Sequence, residues 1–180
     1  MTLLYDDEYL GLSMVISGGQ CGADRAGLEA AAEFSMRTGG WAPKGWRTHH
    51  GPAPELANFN LVEDTSSDYP PRTKKNVQHS NGTVIFGSNL ASPGCVLTAR
   101  LCSKHQKPIF HVLLNGEIDE DFIECTAADI AKWVEQNEIK VLNVAGNRDK
   151  SLSDDFHFIT TKTILLHAFN ILDQACLINR

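Results

Sequence analysis

A glycine-rich turn near the start of the chain has the composition of an anion-binding loop. It covers residues 18–22, follows the apolar residues 14–16 and precedes an alanine-rich helical pattern that begins at Asp24. Glycine allows close backbone approach to a ligand, and the first amides of a helix lack partners within the helix and lie at its positive end. The turn therefore predicts a phosphate site made by Gly18, Gly19, Gln20, Cys21 and Gly22.

The spacing of this turn restricts the class of protein, whereas the role of Asp24 stays open. Its spacing is neither the G-x-G-x-x-G dinucleotide motif nor the phosphate loop that ends in Lys-Ser/Thr, which counts against a nicotinamide enzyme and an NTPase. Asp24 could bind the ligand, or its carboxylate could only cap the helix in a plain strand-to-helix connection. We assign it to binding and predict no catalytic role.

Two later segments repeat the strand, turn and helix order. A buried strand is predicted at 83–86, followed by a turn at 87–94 and a helix to about 105; another strand at 139–144 leads to a turn at 145–148. Ligands of open α/β sheets bind at the carboxyl ends of the strands, so the three turns should converge on one crevice. Arg148 is the side chain we expect to bind phosphate, because it is permanently charged and lies at a strand end.

The alternation of apolar runs with helical patterns predicts an α/β fold, a mostly parallel sheet with helices on both faces. We predict a first helix from Asp24 to about Arg37, stopped by Gly39 and Gly40, and a candidate ligand loop from 41 to about 61. Further helices are predicted from a start within 67–71 to about 79, at 126–138 and at 154–176, with a strand at 107–114.

Composition limits the function classes. With 180 residues, of which 42% are hydrophobic, residues 1–180 suit a single domain, in which 1–11 form an N-terminal extension. A net charge of −6 argues against a nucleic-acid partner, and no apolar run has membrane-spanning length. The start of the chain lacks a signal peptide pattern and the five cysteines are scattered, so we expect a cytoplasmic protein without a metal site.

Taken together, five segments resemble the putative molybdenum carrier family, which belongs to the Rossmann-like superfamily shared with the lysine-decarboxylase-like phosphoribohydrolases. The resemblance extends from about Leu12 to Gln174. The five segments are 17–28 (SGGQCGADRAGL), 39–45 (GGWAPKG), 69–77 (YPPRTKKNV), 82–85 (GTVI) and 142–148 (LNVAGNR). The resemblance implies a Rossmann-like three-layer sandwich.

The resemblance also implies a function: non-catalytic binding, storage and delivery of molybdenum cofactor, a phosphorylated pterin. It implies first-loop contacts at Gly18, Gly19, Gln20 and Gly22, and it implies a homodimer or homotetramer. Contacts are implied at Ser92, Gly94 and Thr98 in the second loop, at Gly146 and Arg148 in the third, and at Lys44, Arg72 and Asn76 as polar wall residues.

Three positions depart from the family pattern. Cys21 stands where threonine is expected, Cys95 replaces a small hydroxyl residue, and Pro93 replaces glycine or another small residue. Near-isosteric replacement explains both cysteines. The alternative is that helix N-termini lower both thiol pKa values, so that the thiolates of Cys21 and Cys95 could bind molybdenum or another soft metal.

The phosphoribohydrolase relatives place a glutamate after their Pro-Gly-Gly-x-Gly-Thr segment. Here Pro93-Gly94 is retained, but residues 95–100 contain no glutamate and Arg100 follows the expected acid position. This favours anion binding over cleavage of a base from a nucleoside phosphate. A module that binds or senses a nucleotide-derived ligand remains the second hypothesis, and a phosphoribohydrolase-like enzyme the third.

Overall fold

The computed structural model of the chain describes residues 11–151 and 153–178. The strands are β1 (Met14–Ser17), β2 (Arg37–Ala42), β3 (Arg47–Thr48), β4 (Gly51–Pro52), β5 (Leu61–Glu63), β6 (Gly82–Gly87), β7 (Ile109–Leu113) and β8 (Val141–Gly146). The helices are α1 (Ala23–Glu33), α2 (Tyr69–His79), α3 (Pro93–Lys104), α4 (Glu120–Gln136) and α5 (Phe156–Ile178), with a 3-10 helix at Pro54–Phe59. The N-terminal extension, except Gly11, lies outside the described residues.

Six of these strands form one sheet in the order β5-β2-β1-β8-β6-β7. Every pairing within it is parallel, and the last strand, β8, lies between β1 and β6. All residues of β6 are buried, as expected for a parallel strand covered on both faces. The short antiparallel pair β3 and β4 is separate from this sheet. The predicted mostly parallel sheet is confirmed.

The helices cover both faces of the sheet. Helix α5 packs between α1 and α4, whereas α2 and α3 pack against each other. Right-handed crossovers require this division, because the connections through α1 and α4 run along the sheet in one direction and those through α2 and α3 in the other. The predicted three-layer α/β sandwich is therefore confirmed.

The main hydrophobic core lies between the sheet and the layer that contains α5. Val84, Phe86 and Leu142 from the sheet and Leu165 and Phe169 from α5 are at most 1% exposed. Each such side chain contributes about 1.5–3 kcal/mol by leaving water. This packing holds β8 between β1 and β6 and so fixes the relative positions of the loops that follow these three strands.

The prediction for the end of the first helix is wrong. Helix α1 ends at Glu33, because Ser35 adopts a left-handed backbone conformation with φ 57°. Gly39 and Gly40 do not stop a helix but lie within β2, where Gly39 pairs with Ile16 of β1. Strand β2 was missed because two consecutive glycines resemble a helix stop and give no apolar alternation.

Two other segments differ from expectation. The predicted ligand loop at 41–61 contains the β3-β4 pair, the 3-10 helix and the start of β5. Helix α4 begins at Glu120 rather than at residue 126, because the Asp119 carboxylate accepts a hydrogen bond from the Phe122 amide and caps the helix. Among the helices of 11–151 and 153–178, none combines the length and apolar character required to cross a bilayer.

Candidate functional site

The three predicted loops meet at the carboxyl edge of the sheet, after β1, β8 and β6. Asn147 joins them: its side-chain Oδ1 accepts from the Asn89 amide at 2.8 Å, and its Nδ2 lies 3.1 Å from both Asn89 O and Ser92 Oγ. Its backbone carbonyl accepts from the Ala23 amide at 3.2 Å. One asparagine of the third loop therefore fixes the first turn of α1 and the loop that precedes α3.

The first loop satisfies most of its amides within the protein. Gly19 N–H donates to Ser17 Oγ at 3.0 Å, Gln20 N–H to Asp24 Oδ2 at 3.3 Å, and Cys21 N–H to Gln20 Oε1 at 3.1 Å. The Asp24 carboxylate thus accepts a hydrogen bond from the Gln20 amide, which we expected to face a ligand. As folded, this turn is a weaker phosphate cradle than its sequence suggests.

Asp24 and Arg72 form a buried ion pair that joins the first loop to α2. Arg72 Nη1 lies 3.0 Å from Asp24 Oδ2, and the two side chains are 11% and 5% exposed. The guanidinium packs against Gly18, where any side chain would overlap it. Burial raises the pKa of Asp24, whereas the positive charge of Arg72 opposes that shift. The arginine therefore serves Asp24 first and is not a free wall residue.

Of the other two predicted wall residues, Asn76 joins two elements of the fold and Lys44 is exposed. Asn76, 2% exposed, accepts from the Trp41 amide at 2.9 Å and donates to the Trp41 carbonyl at 3.1 Å, so its amide group holds α2 against β2. Lys44 is exposed, and within the part of the chain described no hydrogen bond or ion pair joins its side chain to the three loops. Asn76 Oδ1 and the Ser17 carbonyl, at the start of the first loop, both pack against Gly40, whereas Lys44 makes no such contact among the described residues.

The N-terminus of α3, in the second loop, is the least obstructed part of the edge. Ser92 is the N-cap residue but makes no capping hydrogen bond, and Gly94 is exposed with free space around it. Cys95 and Thr98 are buried beneath it, and Thr98 Oγ1 donates to the Gly94 carbonyl at 2.9 Å. The Gly94 and Cys95 amides at this helix start can therefore still donate hydrogen bonds to a ligand.

The third loop, whose Asn147 bonds to Asn89 and Ser92 before α3, also carries Arg148. Its side chain is exposed, and no ion pair involves it within residues 11–151 and 153–178. Gly22, with φ 83°, packs directly against the third loop. A Cβ atom there would lie 2.9 Å from the Arg148 Cα and 2.8 Å from the Asp149 amide nitrogen. Gly146 packs equally closely on Ala23. Arg148 is the predicted phosphate-binding side chain that keeps an unpaired charge.

The thiolate hypothesis for Cys21 and Cys95 does not fit their surroundings. Burial, with the carboxylates of Asp149 and Asp24, raises the pKa of Cys21 to about 11. Burial likewise raises the pKa of Cys95. Both thiols therefore stay protonated at neutral pH. No group of three or more metal-binding side chains lies together in the described ranges.

Two clefts adjoin the first loop on the side away from α3. Their volumes are about 290 Å³ and 170 Å³. Both contain Cys21, Arg25 and His50, and Gln20 Oε1 holds the neighbouring β3-β4 turn by accepting from the His49 amide at 2.8 Å. The larger cleft is lined by Gly19, Cys21, Arg25, Thr48, His50, Gly51, Pro52, Ala53 and Glu55. The smaller is lined by Cys21, Gly22, Arg25, His50, Asp149, Ser151, Asp154, Asp155 and Phe158.

Sequence reasoning missed a polar chain at the same edge. Ser88 Oγ lies 3.0 Å from His157 Nε2, and His157 Nδ1 lies 3.0 Å from Asp149 Oδ1. His157 and Asp149 are 6% and 4% exposed, whereas Ser88 is exposed. Ser88 directly follows β6 and Asp149 follows Arg148, so their places at strand ends were the available signal. His157 gave none, because its position depends on how α5 packs.

Similarity to known proteins agrees with this architecture. The model of the circularly permutated YpsA SLOG family matches residues 15–165. A crystal structure at 1.45 Å resolution of a protein from Syntrophus aciditrophicus SB, named putative molybdenum carrier protein, is 37% identical with a TM-score of 0.77, covering 88% of this chain and 95% of that one. No curated protein matches the chain. The chain therefore belongs to the circularly permutated YpsA SLOG family, and its resemblance to the putative molybdenum carrier proteins is confirmed.

Proposed function

We propose that the protein binds a small phosphorylated ligand at the carboxyl edge of the sheet, with the phosphate between the start of α3 and the Arg148 guanidinium. The observation that carries this proposal is the uncapped α3 N-terminus at Ser92 and Gly94, with an exposed cation on the adjoining loop. Helix amides and an arginine together provide the directional donors that a phosphate requires.

The charges around the edge favour this position over the two clefts. In the smaller cleft Asp149, Asp154 and Asp155 outnumber the single arginine, Arg25. Arg25 also bonds to Glu29 at 3.0 Å and to Glu55 at 3.3 Å, so its charge is already balanced. A dianionic phosphate would meet repulsion there, and the clefts suit a neutral part of the ligand better.

We propose molybdenum cofactor as the ligand. The 37% identical protein named a putative molybdenum carrier supports this choice. The donors fit the phosphate of such a pterin: the Gly94 and Cys95 amides, Arg148, and the Ser92 hydroxyl. The cofactor would supply its own metal and dithiolene, so no protein metal ligand is needed. A nucleotide-derived ligand would use the same donors, so the test below must distinguish it from molybdenum cofactor.

The test compares protein made in a host that synthesises molybdenum cofactor with protein from an isogenic host that cannot. Native mass spectrometry, molybdenum analysis and the fluorescence of the oxidised pterin are measured on each sample. We expect pterin and molybdenum only in the first sample. A nucleotide mass, or a protein free of small molecules in both hosts, would contradict the proposal.

Matched variants then locate the phosphate. Arg148→Ala should retain less than a tenth of the pterin, because one charge-assisted contact contributes about 1.5–3 kcal/mol. Lys104→Ala is the control, since Lys104 is an exposed cation at the opposite end of α3. Equal loss in both variants would show that net charge alone, rather than the edge, controls binding.

We also propose that the protein is a homodimer or homotetramer. Ile159 and Phe156, three residues apart at the start of α5, are 52% and 40% exposed and offer apolar surface for such a contact. Light scattering of purified protein checks this, and a monomer across micromolar concentrations would contradict it.

A further inference from the structure

The chain Ser88, His157 and Asp149 has the connectivity of an activated serine. The distances are 3.0 Å from Ser88 Oγ to His157 Nε2 and 3.0 Å from His157 Nδ1 to Asp149 Oδ1. The carboxylate is itself held, because it accepts the His157 amide at 2.9 Å and the Phe158 amide at 3.3 Å. These two amides explain why Asp149 is present, but they do not explain why an exposed hydroxyl lies on the far nitrogen of the imidazole.

The hydrogen bonds fix the tautomer of the imidazole. An ionised carboxylate can only accept, so the proton shared with Asp149 belongs to His157 Nδ1. Nε2 of the neutral ring is then unprotonated and must accept from the Ser88 hydroxyl. The edge of the ring of Phe156 packs against that of His157, with centroids 5.3 Å apart, which restricts its rotation. The ring is therefore held with its basic nitrogen on the serine proton.

We propose that Ser88 is a nucleophile toward activated carboxylic esters, with His157 as its general base. Ser88 Oγ attacks the carbonyl carbon while its proton moves to His157 Nε2. The bond to the leaving oxygen then breaks, and the alcohol departs with that proton, which leaves an acyl ester on Ser88. Water, deprotonated by the same nitrogen, later cleaves this ester and releases the acid. This activity does not depend on which ligand the α3 N-terminus binds.

The surrounding donors indicate that turnover is slow. In serine hydrolases the amide after the nucleophile can stabilise the oxyanion, but here the Asn89 amide donates to Asn147 Oδ1 at 2.8 Å. Loss of one oxyanion donor lowers turnover by about 100-fold to 1000-fold. Covalent labelling is therefore a more sensitive readout than steady-state hydrolysis.

The experiment treats the purified full-length protein with a fluorophosphonate. Ser88 Oγ forms a bond to phosphorus, fluoride leaves with the bonding electrons of P–F, and the hydroxyl proton passes through His157 to solvent. We expect one added phosphonyl group by intact mass, mapped to Ser88 by peptide analysis. Hydrolysis of p-nitrophenyl acetate is followed in parallel as an initial burst of p-nitrophenolate.

Three variants separate activation from folding. Ser88→Ala should abolish labelling while the protein stays folded by circular dichroism, whereas Ser103→Ala, at an exposed serine on α3, should label like the parent. His157→Gln should label about 100-fold more slowly, as expected for loss of a general base. Folded parent protein that stays unlabelled beside a labelled serine esterase, or a label that persists in Ser88→Ala, would overturn the proposal.

Discussion

Removal of the Arg72 guanidinium should destabilise the fold in a manner that depends on pH. Arg72→Ala leaves the carboxylate of Asp24, 5% exposed, without its partner at 3.0 Å. Loss of one member of a buried pair costs about 3–5 kcal/mol. Asp24 can limit this cost by taking up a proton, which requires about 1.4 kcal/mol for each pH unit above its unfolded pKa of about 3.9.

The magnitude follows from that limit. We expect a loss of at most about 4 kcal/mol at pH 7 and at most about 1.5 kcal/mol at pH 5. The sign is fixed because burial already raises the pKa of Asp24 and loss of Arg72 raises it further. The folded variant then binds more protons than the unfolded chain, so its stability falls as pH rises from about 4 through the folded pKa.

Urea denaturation followed by circular dichroism at pH 5 and pH 7 measures this difference. Lys74→Ala is the matched control, because Lys74 is an exposed cation on the same helix. Asp24→Asn combined with Arg72→Met should recover part of the loss, since no uncompensated charge remains. An Arg72→Ala variant as stable as Lys74→Ala, with no pH dependence, would refute the assignment of a stabilising buried pair.

Three further predictions concern α2, the cysteines and the glycines. Asn76→Ala should lower the free energy of unfolding by about 1–3 kcal/mol, because it leaves the Trp41 amide and carbonyl without partners. Chemical denaturation measures this loss, and an unchanged stability would show that Asn76 does not hold α2 against β2. Cys21, whose pKa is raised to about 11, should react with iodoacetamide more slowly at pH 7.5 than the exposed Cys125; peptide mass spectrometry gives both rates, and faster alkylation of Cys21 would revive the thiolate hypothesis. Gly22→Ala should lower the free energy of unfolding by about 1–2 kcal/mol for its left-handed φ of 83°, in addition to the cost of overlap with the third loop. Gly94→Ala, where a side chain meets free space, should keep the thermal midpoint but lose bound pterin. Equal stability of the two variants would contradict this contrast.

The sequence predicted the sheet better than it predicted the site. Apolar runs such as 83–86 and 139–144 predict buried parallel strands, and Gly82–Gly87 and Val141–Gly146 lie where expected within about two residues. Strand β2 escaped because Gly39 and Gly40 carry no side chain to alternate. Short β5 escaped because only Leu61 of its three residues is buried.

The site depends on contacts that join distant parts of the chain, which local patterns cannot reveal. Loop glycines indicated where the backbone turns, but not that Asp24 would accept the Gln20 amide or that Arg72 would cross from α2 to pair with it. Asn147, between Gly146 and Arg148, holds the second loop through its side-chain amide and the start of α1 through its backbone carbonyl. His157 reaches Ser88 only because α5, packed on the face of the sheet, begins at this edge.

The most direct test of the central claim is a crystal structure of the protein purified from a host that makes molybdenum cofactor. We expect a phosphate within hydrogen-bond distance of the Gly94 and Cys95 amides and of the Arg148 guanidinium. A phosphate located instead in the cleft between Cys21 and His50, or a ligand that contacts neither α3 nor Arg148, would contradict it.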